Sequence, residues 1–330
     1  MKIKGVIMNK LRTIGITALA GSLAAFSAQA FEASVSGGAE ITLSHLGGSD
    51  VTGNPIGAAK NIKISGSGEL DNGWGISVFH ALGDTHAYGS SVYSFDMGAL
   101  GTISLDSGSG GHGAAGIDNI MPTAYEEADY GLATASADIG GTASGEYIGY
   151  STSMAGATIL AAYNPDRGGG TQGDGGTGGG AGSGAAWDIA VKFAPMDGML
   201  LVAGWGQLDN GTSGTSTVDE DTVGITYAWG PVTAGVQRSH DDTNGGTEIE
   251  VTAMGLTFNV SDDLSVGFQR IRNDYQRTTV QDVDAVYTGL TAAYSMGNIA
   301  IKFVANDGEH LGGVSGASDE AKELSLSFAF

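Results

Sequence analysis

The sequence predicts an all-β fold: a transmembrane antiparallel β-barrel of about sixteen strands, with short turns at one end and long loops at the other. Three observations carry this. Apolar and polar residues alternate in many short blocks. No apolar run after residue 30 is long enough for a membrane-crossing helix. The chain also stops on such a block, in which Leu324, Leu326, Phe328 and Phe330 share one face and Glu323, Ser325, Ser327 and Ala329 the other. A fraying terminus has no use for an apolar strand, whereas a closed barrel needs its last strand to pair with its first and leave no open edge in lipid.

Residues 1–30 are expected to be an export signal. Lys2, Lys4, Lys10 and Arg12 precede an apolar run from Ile14 to Phe26, and Ala28-Gln29-Ala30 offers small residues for cleavage, so the mature chain would begin at Phe31. All 36 acidic residues follow that point, with 10 of the 14 Lys and Arg, a balance of −26. That acidity argues against nucleic acid, whose phosphates need basic neutralisation, and favours either cations or merely solubility in salt. Cysteine is absent, so backbone pairing and packing must hold the exported chain without disulfides. Glycine is abundant, at 57 residues, but 41% hydrophobic residues in alternating blocks indicate strands rather than disorder.

The blocks pair across tight turns. Residues 33–45 place Val35, Ala39, Ile41 and Leu43 on one face and Ser34, Ser36, Glu40 and Thr42 on the other. Residues 61–70 and 74–82 flank Asp71-Asn72-Gly73, where Asn-Gly predicts a two-residue hairpin with positive φ angles. Further pairs flank residues 98–100, 153–156, 195–198, 230–231, 261–263 and 296–298, and the terminal block makes the sixteenth strand. Within 222–229, Val223, Ile225, Tyr227 and Trp229 would face lipid. Over 250–260 the phase breaks: Ile249 and Val251 are out of step with Met254, Leu256, Phe258 and Val260, which requires either a bulge or a later entry into the membrane.

Three checks support this layout. Pro55, Pro122, Pro165, Pro195 and Pro231 all fall between strands, where a missing N–H breaks no ladder bond. Aromatics gather near strand ends, with Trp74, Trp229, Tyr294, Phe328 and Phe330 at the short-turn end and Tyr88, Tyr163, Trp187 and Tyr275 toward the other, as two interfacial belts would have them. Lys63, Lys192 and Lys302 each fall on the polar phase, sparing the ~2–4 kcal/mol that a lysine in mid-membrane lipid costs. A two-domain sandwich would need a linker, and a propeller or solenoid a repeat; the sequence has neither.

Chemistry concentrates in the longest stretch between strands, residues 106–145. It carries Asp106, Asp118, Glu126, Glu127, Asp129 and Asp138, with no Lys or Arg. Segments this long inside a compact design are usually functional or disordered. Thr123 with Glu126 three residues on has capping-box spacing, predicting a short helix over 124–130.

With these features the sequence resembles the sixteen-stranded general porins of Gram-negative outer membranes, the alphaproteobacterial type in particular. The likeness spans Phe31 to Phe330. It rests on the signal, the strand-and-turn rhythm, the terminal Phe330, and Phe95-Asp96-Met97-Gly98-Ala99-Leu100-Gly101-Thr102-Ile103-Ser104-Leu105 followed at once by the acidic stretch. The resemblance implies a third surface loop folded into the pore, with Asp118, Glu126, Glu127 and Asp129 approaching a constriction. It implies a homotrimer in the outer-membrane bilayer, and Phe330 as the tag read by the barrel-insertion machinery. The weakly apolar face of the first strand, with Gly37 and Ala39, permits close packing of barrels. Such porins set basic residues opposite the acidic loop. Here the pore-facing basic residues are Lys63, Lys192 and Lys302, and Arg238, Arg270 and Arg272 near outer strand ends have no fixed phase, so the family's arginine cluster does not carry over.

No enzyme motif is present. The six histidines, His45, His80, His86, His112, His240 and His310, lie scattered, without HExxH or Ser/His/Asp spacing, and no phosphate-binding glycine motif occurs. Gly168 to Gly184 reads as a surface loop. No cofactor is expected; calcium at Asp209-Asn210-Gly211 or Asp241-Asp242 is a weak option without a recognised spacing. The expected function is passive diffusion of small hydrophilic solutes and ions with a preference for cations. A substrate-specific channel and a closed-lumen barrel with an adhesive or structural role are the alternatives.

Overall fold

Each strand pairs antiparallel with its neighbours in sequence, and the last pairs with the first, giving one closed barrel of sixteen strands. The computed structural model describes residues 32–330 apart from 49–51, 85–87, 109, 138–139, 144, 168–183, 210–216, 244–246 and 278–281. The export signal, His86, Asp138, the Asn210-Gly211 part of the calcium option and all of the 168–184 loop but Gly184 lie outside the described residues. The strands are β1 (Glu32–Gly48), β2 (Ile56–Glu69), β3 (Gly75–Leu82), β4 (Tyr88–Asp96), β5 (Thr102–Ser107), β6 (Glu146–Met154), β7 (Ala157–Asn164) and β8 (Ala186–Phe193), then β9 (Met199–Leu208), β10 (Val218–Trp229), β11 (Val232–Thr243), β12 (Thr247–Asn259), β13 (Leu264–Arg277), β14 (Ala285–Met296), β15 (Ile299–Glu309) and β16 (Ser318–Ala329).

Turn chemistry follows glycine. At 71–73 only Gly73 has positive φ, at 80°, and Gly73 N donates to Leu70 O while Leu70 N donates to Trp74 O. This is a three-residue hairpin with a left-handed glycine, not the two-residue turn expected with Asn72 also at positive φ. The two-residue form occurs instead at Ala155-Gly156, with φ of 52° and 82° between Met154 and Ala157.

The outer surface carries the expected apolar phase, with Val223, Tyr227 and Trp229 exposed on β10. Trp74, Trp229 and Phe330 are exposed at the short-turn end, and Trp187 and Trp205 meet edge to face at 5.1 Å toward the other. Tyr275 departs from the upper belt. It faces inward, 6% exposed, with the Arg277 guanidinium over its ring. The broken phase of β12 is a late membrane entry: its register with β11 and β13 runs without a bulge. Ile249 and Val251 point inward and join Ile271, Tyr275, Tyr287, Met121 and Ala128 in the largest apolar cluster. The inner wall turns apolar there because a loop covers it. Arg238, Arg270 and Arg272 are exposed, on the outward phase.

Candidate functional site

The described residues of 108–145, between β5 and β6, run along the inside of the wall. A 3-10 turn at Gly113–Ile117 packs on β7, β8 and β9, with Ile117 buried among Leu160, Ala190 and Val202. Ile120 N donates to Gln237 Oε1 at 2.9 Å, and Gln237 Nε2 donates to the carbonyls of Ile117 and Asp118 at 2.8 and 3.0 Å. Ala124 N donates to Thr291 Oγ1 at 3.1 Å and Ala128 N to Gln269 Oε1 at 2.6 Å. Asn306 Nδ2 donates to the carbonyls of Glu127 and Tyr130 at 2.7 and 2.9 Å, and Ala133 N donates to Asp319 Oδ2 at 2.8 Å. Coming back, Tyr287 OH donates to Ala135 O at 3.0 Å, and the N–H groups of Thr142 and Ala143 each donate to Asp188 at 2.8 Å.

The wall makes room with at least one glycine on every strand from β9 to β15. A Cβ added to Gly204, Gly224, Gly235, Gly255, Gly267, Gly289 or Gly308 would stand 2.7–3.1 Å from loop atoms of Ile117, Ile120, Pro122, Pro122 again, Ala124, Ala128 and Leu132 respectively. Most of these distances are closer than real Cβ atoms come and the rest are tighter than nearly all, so the missing Cβ atoms form a track on which the loop lies flat. This track explains why the helix expected over 124–130 does not form. Backbone N–H groups there bond to Thr291 and Gln269 on the wall, and Thr123 Oγ1 donates to Glu126 O, closing a turn rather than capping a helix.

At the far end of the track the loop meets β1, β15 and β16. The rings of Tyr125 and Tyr130 lie 6.4 Å apart. The Tyr125 hydroxyl stands 3.0 Å from Glu323 Oε1 and 3.2 Å from Glu40 Oε1, and the Tyr130 hydroxyl 3.2 Å from Glu323 Oε1. Lys302 Nζ sits 3.3 Å from Glu40 Oε1 and 4.5 Å above the Tyr125 ring. Ser325 donates to Glu40, and Ser44 Oγ donates to Glu323 Oε2 at 2.9 Å. Burial pushes the Glu126 carboxyl up; Lys302 opposes this, and the charges of Glu323 and Glu40 add to it. Burial likewise raises the Tyr125 and Tyr130 phenols, holding both neutral as donors. Three carboxylates thus gather around one ammonium.

The other expected residues are spread out. Asp118 is at the start of the track, its carboxyl raised by burial against the lowering pull of the Asn119 N–H and the Lys192 charge. Lys63, on β2, stands 3.9 Å over the Phe79 ring. Glu127 lends its carbonyl to Asn306. Asp129 accepts Ser136 N at 2.8 Å, tying the loop to itself. Sequence reasoning missed Glu40 and Glu323 as site residues. The signal was present: both lie on the polar phase of the two strands that close the barrel, and closure puts Ser44 opposite Glu323. Among the described residues no three His, Cys, Asp or Glu side chains form a metal-binding group. Asp241 and Asp242, the other calcium option, lie on β11 opposite Glu220 and Asp219 of β10.

Residues 15–317 match the Gram-negative porin family. No curated protein matches the chain. Among solved structures, a porin refined at 1.8 Å resolution superposes with a TM-score of 0.69 at 14% identity, covering 91% of this chain and all of that one. The loop L8 deletion mutant of OmpT from Vibrio cholerae gives 0.67 at 14%, and an anion-selective porin from Comamonas acidovorans 0.66 at 16%, with the same coverage. These identities speak for the fold, and the family match speaks for the class. With its closed sixteen-stranded barrel and inward-folded loop, the chain belongs to the Gram-negative porin family and is a channel of the outer membrane.

Proposed function

We propose that the channel passes small hydrophilic solutes and ions by diffusion, with a preference for cations set where the loop meets β1, β15 and β16. The observation that carries this reading is the excess of Glu40, Glu126 and Glu323 over Lys302 at that point. Low-dielectric walls focus the field of fixed charges on a passing ion. The fold does not fix the sign, since one similar structure is described as anion-selective; side chains must. Reconstitution in a planar bilayer under a KCl gradient tests the proposal: a reversal potential of anionic sign would refute it. The substrate-specific alternative draws on the Tyr125 and Tyr130 pair, which would give saturable transport of one solute. A closed lumen would give no conductance at all. Assembly as a homotrimer is part of the proposal, supported by family membership and by a trimer form of Vibrio cholerae OmpT among the similar structures.

A further inference from the structure

The chain joins every neighbouring pair of strands except β1 and β16, so this seam has no covalent link. Its inner face carries two carboxylates, Glu40 on β1 and Glu323 on β16. Both approach one atom, the Tyr125 hydroxyl oxygen, which lies 3.2 Å from Glu40 Oε1 and 3.0 Å from Glu323 Oε1. Like charges held that close repel each other. The two seam strands supply one hydroxyl each: Ser44 Oγ donates to Glu323 at 2.9 Å, and Ser325 Oγ donates to Glu40. Those hydroxyls satisfy oxygens, but they offset no charge.

The offset comes from outside the pair. Lys302 on β15 stands opposite Ser325 and reaches across β16, putting its ammonium 3.3 Å from Glu40 Oε1. The loop supplies the rest. Ala124 N is fastened to Thr291 on β14 at 3.1 Å, so the next residue, Tyr125, spans β15 and β16 and lays its hydroxyl proton between the two carboxylates. Its ring also lies 4.5 Å under the Lys302 ammonium, which the ring face attracts. Tyr130 differs: among the described residues its hydroxyl bonds to Glu323 alone, at 3.2 and 3.3 Å, and so holds one strand of the seam only. We propose that Tyr125 is the clasp of the barrel seam: through that hydroxyl the docked loop holds β1 on β16, and undocking the loop lets the seam part.

Hydrogen exchange of the folded full chain in lipid nanodiscs, read by mass spectrometry, tests this, because local opening sets the rate at which paired amides exchange. Tyr125→Phe should speed exchange at the seam, in residues 41–44 and 323–326, by about tenfold, as the loss of a hydrogen bond to charged groups implies. The β12–β13 ladder should not change. Tyr130→Phe should alter the seam by less than about twofold, since that bond joins no two of its strands. In the background Glu40→Gln with Glu323→Gln, where the repulsion is gone, Tyr125→Phe should add less than about twofold. Should Tyr125→Phe alone not fold, that background should restore folding. Equal seam exchange in Tyr125→Phe and the wild type, an equal rise in Tyr130→Phe, a rise spread evenly round the barrel, or no rescue by the two glutamines would each overturn the proposal.

Discussion

Gly37 and Phe330 exchange two backbone hydrogen bonds, Gly37 N to Phe330 O at 2.9 Å and Phe330 N to Gly37 O at 3.0 Å. The Phe330 ring also occupies the space of an absent side chain, with ring carbons 2.7 and 2.9 Å from where a Cβ on Gly37 would stand. The last residue therefore completes the ladder that closes the barrel. Deleting Phe330, or replacing Gly37 with Val, should lower the amount of folded protein in the membrane severalfold while leaving the conductance of each inserted channel near normal. Normal yield with altered conductance would contradict that division.

Charge at the loop end should set ion preference. Removing one carboxylate about 7 Å from the ion path changes the ion's energy by about 0.6 kcal/mol in water-like surroundings, or about two- to threefold in permeability ratio. Glu126→Gln with Glu127→Gln should shift the reversal potential toward zero by that order. Lys302→Gln should move it the opposite way, and a shift of the same sign in both would refute the assignment.

Selectivity should also follow pH. Because burial raises the Glu126 carboxyl, it takes up a proton above the ordinary glutamate value of about 4.3. Cation preference should begin to fall while exposed carboxylates are still ionised, and Glu126→Gln should flatten that early part of the curve. The linkage sign is that of a raised folded-state value: the neutral acid fits the docked loop better than the anion. Docking is therefore strongest at low pH and loses part of its stability as pH rises through the raised value. Bilayer recordings at stepped pH on both proteins measure this.

Gln237 ties the loop to the wall through three bonds to Ile117, Asp118 and Ile120. Gln237→Ala leaves buried partners unmatched, at a cost of about 1–3 kcal/mol. The strands should stay folded while the open-channel current grows noisier. A quiet current in this variant would show that the remaining tethers suffice.

Much of this architecture is legible in the sequence because strand phase and turn chemistry are local. Val223 through Trp229 alternate as a lipid-facing strand must, and Gly73, Gly156 and Gly198 mark the turns. Contacts made across the lumen were not legible. Ile249 and Val251 read as out of phase because the apolar partner on the inner side is a loop more than a hundred residues earlier. The helix expected at Thr123 failed for the same reason: Thr291 and Gln269 take its N–H groups, and nothing near residue 123 reveals them. Glu40 and Glu323 stood on the right face from the start, yet only closure of the first strand on the last brings them to one place.

The row of glycines has a mechanical consequence. Since the loop is fastened from β7 round to β16, it acts as a brace inside a hollow cylinder whose own wall is one residue thick. Squeezing the barrel out of round would have to shear those fastenings together, so the segment folded against the inner wall also stiffens the barrel against lateral pressure from the membrane.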